Sequence, residues 1–277
     1  MRIHLDQLNF METPKDLRLA VLIDADNISY SNIKAMMEEI AKYGIPTFKR
    51  IYGDWTKPTL AGWKTVLLEN AISPVQQYSY TIGKNSSDSA LIIDAMDILY
   101  SGRVDGFCII SSDSDFTRLA NRLREAGMKV FGIGEKKTPP AFIASCNKFI
   151  YLEILKEEIQ QAPVKTTAIK TSAKTTLPTV STIDKGLIKL IADSINDIAE
   201  EDGWVFLGVL GNLILKKQPD FDPRNYGYKK LIDLIRDIHE FEIDRRASGK
   251  NNVFHIYVRA KETFSNDRKT SLKNLRR

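Results

Sequence analysis

LAVLIDADN, residues 19–27, and GFCIISSDSDF, residues 106–116, decide how the first half of the chain folds. Each is a short, unbroken apolar run that ends abruptly in acids. Such a run, too short for a helix and without polar alternation, marks a strand covered on both faces, as in a parallel sheet. Working outward, FKRIY (48–52), PVQQYSY (74–80) and MKVFGI (128–133) read as further strands. Between them the apolar period lengthens. Asn32 to Tyr43 sets Ile33, Met36, Met37 and Ile40 on one helical face, and Ser86 to Tyr100 does so with Leu91, Ile92, Ala95, Met96 and Leu99. Phe116 to Ala126 keeps the same period, and Gly44 and Gly127 stand where left-handed helix stops belong. Strands alternating with helices predict an α/β fold, a parallel sheet flanked by helices, over residues 17–155.

In such a sheet the loops at the strands' carboxyl ends converge on one edge, where function usually sits. Asp24 directly follows LAVLI, and Asp113 and Asp115 follow GFCIIS. Carboxylates crowded together repel unless a cation or protons compensate. An all-oxygen donor set suits Mg²⁺ or Mn²⁺, which can orient and activate water for attack on a phosphodiester. Each acid taken alone also has a structural use. Asp113 or Asp115 can cap the helix beginning near Phe116, and Asp26 or Asn27 can cap the one after the first strand. Two acidic clusters at equivalent strand ends favour a site. A third source is KNSSDSALIIDAMD, residues 84–97. Asp88 falls in the first turn of a helix, where negative charge is favoured. Asp94 lies among apolar residues and needs a partner, so it is either a site residue or a structural one. Asp97 faces solvent, and Lys84 is placed to bind a phosphate or balance the acids.

The remaining composition narrows the classes. Cys108 and Cys146 belong to no metal-binding spacing, and His4, His239 and His255 are scattered, so zinc, disulfide and imidazole sites are not expected. No apolar stretch is long enough to span a membrane and the N-terminus has no signal-like apolar core, which places the protein in a reducing cytoplasm. The net charge of +5 is uneven: residues 161–183 carry +3 and 261–277 carry +4, leaving the rest at −2. Basic character in such segments supports salt-sensitive contact with phosphates, or only solubility.

After Gln160 the composition shifts to Thr, Lys, Ala and Ser with two prolines, which predicts a flexible linker over residues 161–182. Beyond it, Leu187, Ile191, Ile195 and Ile198 form a helical stripe, and further helices are expected over Phe206–Leu215 and Tyr228–His239. FEIDRR and VFHIYVR, joined by ASGKNN, read as a hairpin. Three helices and a hairpin over 183–260 predict a winged helix, with a 1–16 extension and a 261–277 basic tail outside the folded parts. Lys216, Lys217, Arg224, Lys229 and Lys230 can face phosphates, although a protein-docking surface fits the same residues.

LIDADN, GKNSSDSALIIDAMD and IISSDSDFTRLANRLREAG resemble, in residues and in spacing, the motifs of the NYN family within the PIN-like nuclease superfamily, and are most similar to its LabA-like bacterial members. The resemblance implies a metal-dependent ribonuclease holding Mg²⁺ or Mn²⁺ between acids. Carried over by motif, Asp24, Asp88, Asp113 and Asp115 are its catalytic and metal-binding acids, with Asp94 a further possible ligand on the same helix as Asp88. Asn27, Ser112, Lys84 and Arg118 then contact the strand, and no side-chain nucleophile is required. Where many relatives read KGVD this chain reads GKNSSD, so the turn before Asp88 has its own shape. GWVFLGVLGNLILKKQPDFDPRNYGYKKLIDLI is similar to the LOTUS, or OST-HTH, domain, which implies binding of RNA or of a protein partner. A non-catalytic RNA or protein adaptor with a vestigial acidic pocket is the second reading. A haloacid-dehalogenase-type phosphatase, from the D-x-D of LIDADN, ranks last because Ile28 stands where that chemistry wants Thr or Val. Oligomeric state has no signature in the sequence.

Overall fold

The computed structural model describes residues 16–78, 86–155, 181–247 and 254–261. Lys84, most of the 161–182 linker and nearly all of the terminal segments lie outside the described residues.

The first half forms a parallel sheet in the order β3-β2-β1-β4-β5-β6. Its strands are β1 (Arg18–Asp24), β2 (Ile45–Gly53), β3 (Ser73–Gln76), β4 (Gly106–Ile110), β5 (Lys129–Gly134) and β6 (Lys148–Tyr151). β1 and β4 are central, so both faces of each are covered. That is why Leu19–Ile23 and Phe107–Ile110 are apolar throughout and almost wholly buried. After β1 the chain winds outward to β2 and β3, and from β4 it winds the other way to β5 and β6. The direction reverses between β1 and β4, and such a reversal opens a crevice at the strands' carboxyl ends.

The connecting helices are α1 (Ile33–Ile40), α2 (Trp63–Glu69), α3 (Ser86–Tyr100), α4 (Thr117–Glu125) and α5 (Pro140–Ser145). α3 packs on β1 and β2, burying Leu91, Ala95, Ile98 and Leu99. α4 buries Leu119, Ala120 and Leu123 and ends in Arg122 and Arg124, whose charges suit the negative end of its dipole. Gly127 has φ +82° and ends α4 in the left-handed region, as expected. Gly44 does not: a side chain there would strike the Leu17 carbonyl, so close backbone approach and not handedness requires glycine.

Sequence reading missed α2, α5 and β6. α5 and β6 are short, and neither they nor α2 repeat an apolar period for long enough to announce it.

The C-terminal part has α6 (Lys185–Ile198), α7 (Leu207–Lys217) and α8 (Leu231–Arg236), with β7 (Val205–Phe206), β8 (Phe241–Ala247) and β9 (Phe254–Ala260) in an antiparallel sheet ordered β7-β9-β8. Asp184 caps α6 through the Leu187 amide. The expected third helix is shorter than 228–239, because Tyr226 and Gly227 close a separate turn over Pro223–Tyr226. Leu187, Ile191, Leu210, Ile214, Leu234, Ile235 and Val258 meet in its core. Among the described residues, no helix is long and apolar enough to cross a membrane.

Candidate metal centre

Asp24 is the last residue of β1 and is 1% exposed. A buried carboxylate needs partners, and the loop that follows supplies them. Asn27 Nδ2 donates to Asp24 Oδ2 at 2.6 Å, and the Asp26 amide to Oδ1 at 3.1 Å. Asn27 therefore orients Asp24 directly. Asp26, considered at first only as a cap, accepts from Ser87 Oγ at 3.3 Å and from Lys57 Nζ at 3.4 Å. It joins the β1 loop to the first turn of α3, one residue before Asp88.

Asp88 is buried in that first turn. Asp113 caps the turn Ser114–Phe116 by accepting from the Asp115 amide at 2.9 Å, so the capping role foreseen for it is real. Capping engages one carboxylate oxygen. Asp88, Asp113 and Asp115 each bring a carboxylate oxygen to within 4.8 Å of the other two, with Asp88 buried, Asp113 half-buried and Asp115 exposed. An all-oxygen set of this spacing fits a hard divalent cation, which would also relieve the repulsion between the acids.

The other expected residues have distinct surroundings. Ser112 is buried and its hydroxyl accepts from the Glu135 amide at 2.9 Å, tying the β4 loop to the end of β5. Arg118 is exposed in the first turn of α4. Asp94, like Asp24, is not in the three-acid group. It receives Arg50 Nη1 and the Tyr52 hydroxyl, both from β2. Burial first, and then the bond to Asp94, push the Tyr52 hydroxyl well above the ordinary tyrosine range, so it stays a donor. Asp54, just past β2, is a strand-end acid of another kind. Thr56 and Gln76 hold it, and it braces β2 against β3. Sequence reading weighed Asp26 only as a cap and passed over Lys57, its partner at 3.4 Å. Lys57 lies in the loop at the carboxyl end of β2, which was the available signal.

The six-stranded parallel sheet flanked by helices is a PIN-like α/β fold. Residues 18–153 match the NYN domain, a member of the PIN-like nuclease superfamily, and residues 178–253 match the OST-HTH/LOTUS domain. The chain is thus an NYN domain followed by an OST-HTH/LOTUS domain. Among solved structures it is similar to a protein of unknown function from Vibrio parahaemolyticus, at 19% identity over 50% of this chain and 94% of that one, with a TM-score of 0.42. An uncharacterized protein from Nitrosomonas europaea is 31% identical over 36% of this chain and 92% of its own, with a TM-score of 0.27. A protein from Chromobacterium violaceum is 23% identical over 30% and 89%, with a TM-score of 0.25. No curated protein matches the chain.

Proposed function

We propose that the protein is a metal-dependent ribonuclease whose NYN domain hydrolyses phosphodiester bonds and whose C-terminal winged-helix domain engages RNA. The observation that carries this reading is the convergence of Asp88, Asp113 and Asp115 on one point. Those three, with Asp24 at the end of β1, are the residues that would hold Mg²⁺ or Mn²⁺. Bound there, the ion would supply Lewis acidity and lower the pKa of water at neutral pH. Asn27 keeps Asp24 in a fixed rotamer, and Asp26, through Ser87, holds the turn that presents Asp88. Asp94 fixes α3 to β2 and so sets the helix on which Asp88 stands. Lys57 and Arg118, with Lys84 beyond the described residues, supply positive charge for the phosphate backbone. OST-HTH/LOTUS domains bind RNA, which supports RNA over DNA as the substrate.

Asp24→Asn and Asp113→Asn should each abolish Mn²⁺-stimulated cleavage of single-stranded RNA while circular dichroism stays native. Cleavage that persists in both variants, or that ignores EDTA, would remove the mechanism. Tight RNA binding without turnover in any divalent ion would instead favour the adaptor reading.

A further inference from the structure

β6 is one of the two edge strands of the six-stranded sheet, and an open strand edge invites unwanted pairing unless something covers it. Here the cover comes from the C-terminal domain. The Phe149 amide donates to the Pro219 carbonyl at 2.8 Å. The Tyr151 hydroxyl donates to Asp220 Oδ2 at 2.7 Å, and Lys148 Nζ lies 3.8 Å from Asp222 Oδ2. Pro219 and Asp220 form the centre of a turn that the Phe221 amide closes on the Gln218 carbonyl at 3.1 Å, and the chain is extended again at Asp222. Asp220 and Asp222 reach β6, while Phe221 between them is buried in the C-terminal domain's own core.

The charges in this contact are withdrawn from water: the Lys148 side chain is 17% exposed and that of Asp222 7%. Asp222 is further clamped by Arg224 through Nε at 3.0 Å and Nη2 at 2.8 Å. Withdrawing ions from solvent is costly unless their partners are in place, so these are poor residues for a chance surface encounter. Arg224 is accordingly committed to Asp222 and not to phosphate.

We propose that residues 219–222 form a specific docking strap that seats the C-terminal domain on the β6 edge, so that the two domains are joined by an interface as well as by the linker. The strap is independent of whether the acidic centre cleaves RNA. It replaces the picture of a loosely tethered module, in which linker length alone would set local concentration.

Hydrogen exchange in the full chain tests it. The Phe149 amide should be protected in the parent protein. Both Lys148→Glu, which sets like charge against Asp222, and Asp220→Ala should strip that protection while the β5 amides keep theirs. If Lys148→Glu also exposes β5, the sheet itself has failed and Asp220→Ala decides alone, since Asp220 lies outside the sheet. A Phe149 amide that exchanges freely in the parent protein, or keeps its protection in Asp220→Ala, overturns the proposal.

Discussion

At the scale of single residues, acids of similar appearance do different work according to what donates to them. Asp54 is consumed by Thr56 and Gln76, and Asp94 by Arg50 and Tyr52, whereas Asp88, Asp113 and Asp115 converge on a common point. The Asp94 contact is the most exacting of these, because Tyr52 is fully buried. Tyr52→Phe removes one buried donor and should lower stability by about 1 kcal/mol, read from the denaturant midpoint. Asp94→Ala should cost more, since it strands both the Tyr52 hydroxyl and the Arg50 guanidinium. Equal losses in the two variants would show that the carboxylate contributes nothing beyond its bond to Tyr52.

At the scale of elements, the strap against β6 has a pH signature. Burial pushes the Asp222 carboxyl up, but the bonds and charge of Arg224, aided by Lys148, outweigh it and hold the group below the usual carboxylate range. A depressed folded value means the ionised strap contributes in full above the unfolded value of about 4 and is lost as pH falls through the lower folded one. Protection of the Phe149 amide, corrected for intrinsic exchange, should therefore be unchanged from neutral pH into mild acid and fail only below the ordinary carboxylate range. Loss of protection near neutrality would mean that another group governs the contact.

At the scale of the whole molecule, the cost of gathering carboxylates is borne by the folded state, and the proposed cation would relieve it. An ion that binds only the folded protein raises the melting temperature as its concentration rises. Mn²⁺ should produce such a rise, and Asp88→Asn should reduce it; this can be read by calorimetry without any nucleic acid. A melting temperature indifferent to millimolar Mn²⁺ would argue against a metal centre. The basic character assigned to residues 161–183 and 261–277 lies almost wholly outside the described residues, so a salt-dependent RNA affinity would have to be apportioned by truncating those segments.

The amino-acid sequence by itself determined the α/β class, the central strands and the division into two domains, because apolar period and composition are local properties. LAVLI and GFCII could be read as central strands since burial on both faces leaves no polar alternation. Asp24, Asp88, Asp113 and Asp115 could be named from strand ends and motifs. Only the tertiary structure decided the partners. Asp94 meets Arg50 and Tyr52, 44 and 42 residues away, and Asp26 meets Ser87, 61 residues away. β6 shows the same limit. A short edge strand has no long period to announce it, and its cover, Pro219 to Asp222, becomes a neighbour only once both domains have folded. Hydrogen bonds and ion pairs at such separations depend on how the elements pack, and no local pattern records that.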